Sequence, residues 1–259
     1  MMRPKKSLGQ NFLNDISLLS KIVDIGKISK EDTILEIGPG TGNLTNELIK
    51  KKPKKLLVVE KDKDLSKLLL KRFGDEIKIL NKDIMTCYKD FNYDEPIKVF
   101  GNLPYNISTN ILTSFIKMDD LNKKFKKFIF IFQKEVADRI IAKENSKNYG
   151  RLSILTSWKL NGEKVFDIDP NYFFPKPKVR SSLISLTPKI TIENLKKAKH
   201  LEHITNIFFN QRRKMIRKPM KQLFTDYEKV ARNLRLDLDL RPQNVSIKKY
   251  LEICKIYEN

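Results

Sequence analysis

Thr33-Ile-Leu-Glu-Ile-Gly-Pro-Gly-Thr-Gly-Asn-Leu-Thr45 is the stretch that decides the fold. The apolar run 34–37 stops at three alternate glycines, Gly38, Gly40 and Gly42, and a helix-like segment, 44–52, follows. Strand, glycine turn and helix in that order open a nucleotide-binding α/β unit. The glycines let the backbone approach a ligand closely, where side chains would stand in the way. An ordinary strand-to-helix turn would need only one of them.

The acids around the turn define the ligand. The dinucleotide fingerprint is G-x-G-x-x-G, and its third glycine position is occupied here by Asn43. Glu36, just before the turn, repels a pyrophosphate but suits a cation such as an amino group or a sulfonium. The second apolar run, Leu56-Leu-Val-Val-Glu60, ends in an acid roughly 20 residues past the glycines, the spacing of a ribose-hydroxyl acceptor. The third, Ile77-Lys-Ile-Leu80, leads to Asp83, placed to accept from an adenine amino group. Adenosine carrying a cationic tail is S-adenosylmethionine (SAM).

Working outward, residues 16–25 carry apolar side chains at helical spacing, and Gly26 stops them. Residues 3–13 have no period and read as an arm or loop. Leu65, Leu68, Leu69 and Phe73 share a helical face. Ile97-Lys-Val-Phe100 is a fourth strand and Phe128-Ile-Phe-Ile-Phe132 a fifth, apolar on both faces. Helical patterns follow each. Residues 151–158 fit helix or strand, with helix favoured, and 165–168 and 182–186 read as the last two strands. Such alternation predicts a mostly parallel seven-stranded sheet covered on both faces. Ligands then sit beyond the strand C-termini, where one cleft can hold Glu36, Glu60, Asp83 and Asn102. The proline-rich stretch 170–179 fits neither period, so Tyr172, Phe173 and Phe174 are either presented to a ligand or packed from a loop.

Composition shifts near Pro188. Residues 1–188 are expected to form the catalytic domain and 189–259 a helical C-terminal domain, with helices broken at Pro219 and Pro242. Five cations fall within Arg212-Arg-Lys-Met-Ile-Arg-Lys218. The whole chain of 259 residues has 52 Lys+Arg against 31 Asp+Glu, a formal charge of +21, which points to a polyanionic partner. No apolar run approaches the roughly 20 residues that span a bilayer, and Met1-Met-Arg-Pro-Lys-Lys-Ser7 is no signal peptide. A cytoplasmic protein without membrane association is expected by default. Cys87 and Cys254 are isolated, and His200 and His203 read as helix-surface residues, so no metal site is expected.

Gly101-Asn-Leu-Pro-Tyr-Asn-Ile-Ser108 follows the fourth strand. An adenine exocyclic amine is a poor nucleophile because its lone pair is delocalised into the ring. Two acceptors holding its N–H groups favour a pyramidal nitrogen with that pair freed. The Asn102 side-chain carbonyl can be one. Pro104 stiffens the turn so that the Leu103 carbonyl can be the other, and Tyr105 offers a stacking face worth about 1–3 kcal/mol per base. Methylation at cytosine C5 would instead need a cysteine nucleophile, and Cys87 lies in no suitable context.

Six motifs in order, Gln10-Asn-Phe-Leu13, Glu36-Ile-Gly-Pro-Gly-Thr-Gly42, Asn102-Leu-Pro-Tyr-Asn-Ile-Ser108, Phe132-Gln-Lys-Glu-Val136, Tyr149-Gly-Arg-Leu152 and Phe173-Phe-Pro-Lys-Pro-Lys-Val179, resemble the KsgA/RsmA family of rRNA adenine dimethyltransferases. The resemblance implies a Rossmann-like class I SAM-dependent methyltransferase fold with a small helical C-terminal domain. It implies N6 dimethylation of two adjacent adenosines in the hairpin loop near the 3′ end of 16S rRNA, during assembly of the small ribosomal subunit, by a monomer. Matched position by position, the family's SAM contacts fall on Asn11, Leu13, Gly38, Glu60, Asp83 and Asn102. Its catalytic tetrapeptide falls on Asn102, Leu103, Pro104 and Tyr105, with Leu103 where DNA amino-methyltransferases commonly have proline. Phe173 matches an aromatic that sandwiches the target base opposite Tyr105, and residues 212–218 resemble a basic RNA-contacting segment.

Four other readings differ in substrate or class. A related resistance-type enzyme methylates 23S rRNA and also carries the 10–13 motif. DNA adenine methylation would call for a target-recognition domain. A ribosome-assembly checkpoint would bind immature subunits with methylation secondary. A nicotinamide oxidoreductase would need the third glycine one residue later.

Overall fold

The computed structural model describes residue 5 and residues 9–259; the rest of the basic lead-in at 3–8 lies outside the described residues. In chain order the elements are β1 (Phe12–Leu13), α1 (Ile16–Ile25), β2 (Thr33–Ile37), α2 (Asn43–Lys50), β3 (Lys55–Val59), α3 (Lys63–Phe73), β4 (Lys78–Leu80), α4 (Ile84–Cys87), β5 (Ile97–Asn102), α5 (Ser108–Ile116), α6 (Leu121–Lys124), β6 (Phe125–Gln133), α7 (Lys134–Ile140), α8 (Arg151–Lys159), β7 (Leu160–Ile168), β8 (Phe173–Phe174), β9 (Ser181–Pro188), α9 (Ala198–Phe209), α10 (Arg217–Leu223), α11 (Tyr227–Leu234) and α12 (Ile247–Tyr257). Contacts divide the chain into two compact units. One comprises the chain up to Ala137 with Gly162–Pro188, the other Asp138–Asn161 with Lys189–Asn259.

The first unit is built on a seven-stranded sheet in the order β4-β3-β2-β5-β6-β9-β7. The pairs β3–β4, β2–β3, β2–β5 and β5–β6 are parallel, and β6–β9 is antiparallel. β2 is buried along its whole length, as a strand covered on both faces must be. β6 shows how both faces are filled. Phe128, Phe130 and Phe132 alternate with Ile129 and Ile131, and all five are buried. On the phenylalanine side Phe115 of α5 meets Phe125 at 5.0 Å and Phe128 at 5.3 Å between ring centroids. The opposite face packs Ile129 and Ile131 with Leu19, Ile22 and Val23 of α1 and with Leu69 and Phe73 of α3.

A second sheet has two strands only. β1 pairs antiparallel with β8, Phe12 opposite Phe174 and Leu13 opposite Phe173, and the Asn14 N–H donates to the Tyr172 carbonyl at 3.1 Å. Neither stretch has a period long enough to announce a strand. Leu13 and Phe173 face inward and both are buried in the core.

The second unit is helical. Beyond Pro188 the described residues contain α9 to α12 and no strand. Its core holds Ile204, Phe208 and Ile253. Phe208 stands edge-on to Tyr250 at 5.2 Å, and the Tyr250 hydroxyl donates to the Pro242 carbonyl at 2.8 Å. The Tyr149 hydroxyl donates to the Val245 carbonyl at 3.0 Å, so the 138–161 segment belongs to this core rather than to the sheet unit. Pro219 does not break a helix: it lies in the first turn of α10, where its missing N–H leaves no bond unmade. Residues 212–216 form the turn between α9 and α10, and Arg213, Lys214 and Lys218 are exposed.

Candidate active site

The glycine turn after β2 and the segments that follow β3, β4 and β5 enclose one cavity of about 1220 Å³, open mouth included. It sits at the C-terminal edge of the parallel strands, where the strand order reverses between β2 and β5, the usual ligand position of an open α/β sheet. Asn11, Leu13, Gly38, Glu60, Asp83, Asn102, Leu103, Pro104 and Tyr105 all line it, together with Glu36.

One wall is acidic. Glu36 is 1% exposed and accepts from the Thr45 hydroxyl at 2.7 Å. Burial, reinforced by the nearby Glu60 carboxylate, pushes the Glu36 carboxyl up to about 8. Glu60 is also buried and also raised by desolvation, though the N–H groups of Asp62, at 2.8 Å, and Gly40, at 3.2 Å, partly offset this. Two desolvated carboxyls, neither with an ion-pair partner among the described residues, are costly, and a ligand bearing positive charge would relieve that cost. Asp83 is more exposed. Burial would raise it, but the Lys61 ammonium at 2.9 Å and the Met85 N–H at 2.9 Å together hold its carboxyl below the usual range. Asp83 thereby caps α4, a helix turn that the sequence pattern did not reveal.

The arm residues 9–13 line the same cavity. The Asn43 amide nitrogen donates to the Leu13 carbonyl at 3.0 Å and to Asn14 Oδ1 at 2.9 Å, fixing the arm to the start of α2. The Asn102 amide nitrogen donates to the Asn11 carbonyl at 2.7 Å. A carbonyl oxygen can only accept, so this bond fixes which way the amide faces and leaves Asn102 Oδ1 available as an acceptor. Leu103 is buried, and the Ile107 N–H donates to the Pro104 carbonyl at 3.1 Å, closing the turn.

Tyr105 is held at both ends. The Ser108 hydroxyl donates to its backbone carbonyl at 3.1 Å, and its own hydroxyl lies 2.5 Å from Ser181 Oγ. Burial raises the Tyr105 phenol, and Ser181 partly opposes the shift. Ser181 starts β9, 76 positions along the chain, and no sequence signal marked it.

Phe173 does not line the cavity. It is 4% exposed and packs in the core beside Leu13, because the β1–β8 register turns it inward. The rings left accessible in that loop are Tyr172, 41% exposed, and Phe174, 55% exposed. His200 lies 2.9 Å from Glu258, and the described residues contain no group of three or more His, Cys, Asp or Glu side chains that could hold a metal ion.

A mostly parallel sheet with this strand order, an acidic wall beside a glycine turn and an Asn-Leu-Pro-Tyr tetrapeptide starting at the end of β5 define a class I SAM-dependent methyltransferase fold. Two solved structures share that architecture. A dimethyladenosine transferase from Plasmodium falciparum superposes with a TM-score of 0.75 at 25% identity, covering 93% of this chain and 95% of its own. The 23S rRNA methyltransferase ErmE superposes at 0.70 with 22% identity, covering 96% and 100%, a likeness of fold alone. The family model for ribosomal RNA adenine dimethylase matches residues 1–259, and the chain belongs to that family. Ribosomal RNA small subunit methyltransferase A of Pelagibacter ubique (strain HTCC1062) is 53% identical over 258 residues, which are 100% of this chain and 98% of the relative.

Proposed function

We infer that the chain is an rRNA (adenine-N6,N6)-dimethyltransferase that modifies two adjacent adenosines in the hairpin loop near the 3′ end of 16S rRNA during small-subunit assembly. The observation that carries the chemistry is the bond from the Asn102 amide to the Asn11 carbonyl, which leaves Asn102 Oδ1 available to accept in a cavity that two buried carboxyls also line. The family membership and the small-subunit enzyme at 53% identity support the substrate.

The residues fit SAM. A Cβ built at Gly38 meets nothing nearer than the Asn102 carbonyl at 4.0 Å, so the glycine leaves open space at the turn, in the cavity that the buried Glu36 and Glu60 also line. Asn11, Leu13, Gly38, Glu60, Asp83 and Asn102 would hold it, and a bound cation would favour the ionised form of Glu36 behind them. When bound, it supplies an electrophilic methyl group and a neutral thioether leaving group. Asn102 Oδ1 and the Leu103 carbonyl accept the two N–H groups of the target adenine and thereby free its nitrogen lone pair. Tyr105 stacks on one face of the base, which must leave its own stack to enter. Phe173 takes the other face; given its core packing, that contact requires the β1–β8 ribbon to move. Positioning and electrostatics carry the rate, and no metal is invoked. Residues 1–188, apart from the 138–161 segment that groups with the helical unit, act as catalytic domain and 189–259 as helical domain, with the basic segment 212–218 against RNA, in a cytoplasmic monomer.

Labelled SAM incubated with undermethylated small subunits tests the reading. Dimethyladenosine in 16S rRNA is expected. No incorporation by folded protein, or incorporation into 23S rRNA instead, refutes it.

A further inference from the structure

Tyr105 offers a ring to the base, yet its hydroxyl is not left to solvent. It meets Ser181 Oγ at 2.5 Å, and Ser181 is fully buried at the first position of β9, paired with Gln133 of β6. β6 and β9 are paired from Phe128 to Gln133, so the serine is tied into the sheet at the last pair of that ladder. Tyr105 itself lies in the turn between β5 and α5, outside any ladder. Its carbonyl is held by Ser108. A phenol fixed only at its backbone could still rotate about χ1 and χ2, sweeping the ring across the cavity. A second anchor at the far end of the ring removes that freedom.

We propose that Ser181 is a positioning residue for the methyl transfer: it pins the Tyr105 hydroxyl so that the ring is already in its stacking plane before the adenine arrives. This rests on the assignment of Tyr105 as the base-stacking face. Its consequence is specific. The Tyr105 hydroxyl contributes through orientation and takes no part in proton transfer, so removing either end of the tether gives the same defect. Preorganisation of this kind acts on the chemical step and leaves cofactor binding alone.

The test is a double-mutant cycle on undermethylated small subunits with Ser181→Ala, Tyr105→Phe and both together, read as kcat, KM and the calorimetric affinity for SAM. Each single variant is expected to lower kcat roughly 2- to 10-fold, the worth of one neutral hydrogen bond. SAM affinity stays at the wild-type value, and the double variant is no worse than either single one. A multiplicative double variant, or Tyr105→Phe at full kcat, overturns the proposal. If Ser181→Ala fails to fold, Tyr105→Phe decides alone: reduced kcat with unchanged SAM affinity sustains the tether, and full kcat overturns it. Wild-type protein with no activity on 16S rRNA would instead refute the functional assignment itself.

Discussion

Alanine at Gly38 and at Gly42 should separate ligand binding from folding within a single turn. Both residues have positive φ, +67° and +85°, so alanine costs about 1–2 kcal/mol of backbone strain at either position. Their surroundings differ. At Gly38 the added Cβ meets only the Asn102 carbonyl, at 4.0 Å, and otherwise enters the cavity. At Gly42 it would lie 2.5 Å from Phe73 Cε2 and 2.8 Å from Leu69 Cδ2, inside contact distance of two buried α3 side chains. Overpacking adds about 1–3 kcal/mol there, for a total of about 2–5 kcal/mol. At roughly 2–4 °C per kcal/mol for a chain of this size, Gly42→Ala should lower Tm by about 4–20 °C. Gly38→Ala should lower it by only about 2–8 °C. Cofactor affinity should reverse the order. Gly38→Ala fills space meant for ligand and should weaken binding of S-adenosylhomocysteine at least about tenfold, whereas folded Gly42→Ala binds within a few-fold of wild type. Circular-dichroism melts and titration calorimetry read the two quantities. Normal cofactor affinity in Gly38→Ala, or a Gly42→Ala melt no lower than that of Gly38→Ala, would show that the three glycines are not divided in this way.

Glu36→Gln should change the pH dependence of cofactor-free stability. Folded Glu36 keeps its proton up to about 8, while the unfolded carboxyl loses it near 4.5, so the wild type loses stability as pH rises between those values, by at most about 1.4 kcal/mol per pH unit. Urea melts of Glu36→Gln lacking part of that slope are expected; an unaltered slope counts against a protonated Glu36. Asn102→Ala should lower kcat about 100-fold, the scale of losing one aimed hydrogen-bonding group, with SAM affinity weakened far less; a calorimetric loss matching the kinetic one would make Asn102 a binding residue. Phe173→Ala should destabilise by about 3–5 kcal/mol, and Phe174→Ala, at 55% exposure, by less than about 1 kcal/mol. Equal denaturant midpoints for the two would contradict the burial of Phe173.

The sheet and its ligand edge were legible because each parallel strand is a short apolar run with an informative residue at its end: Glu36 before Gly38, Glu60 after Val59, Asn102 at the end of β5. Helix α1 was legible from periodicity at its full length. The β1–β8 ribbon was not. Two-residue strands carry no alternation, and what holds Phe12–Leu13 against Phe173–Phe174 is a long-range pairing. Phe173 illustrates the limit. A phenylalanine in a proline-rich loop reads equally well as presented or packed, and only the register opposite Leu13 settles its orientation. Ser181 is similar, a small polar residue whose importance lies in a partner far away in the chain. The 138–161 segment was assigned by its place before Pro188, whereas Tyr149 groups it by contact with the second unit.

The bond between Asn102 and Asn11 spans 91 positions in sequence. The acceptor proposed for the target nitrogen is therefore aimed by the carbonyl of Asn11, not by its own neighbours. Trimming or fusing at Asn11 would leave every residue of the tetrapeptide in place and yet turn its amide loose. An enzyme altered so far from its reacting atoms would look intact in sequence and fold normally, but would fail at the first methyl.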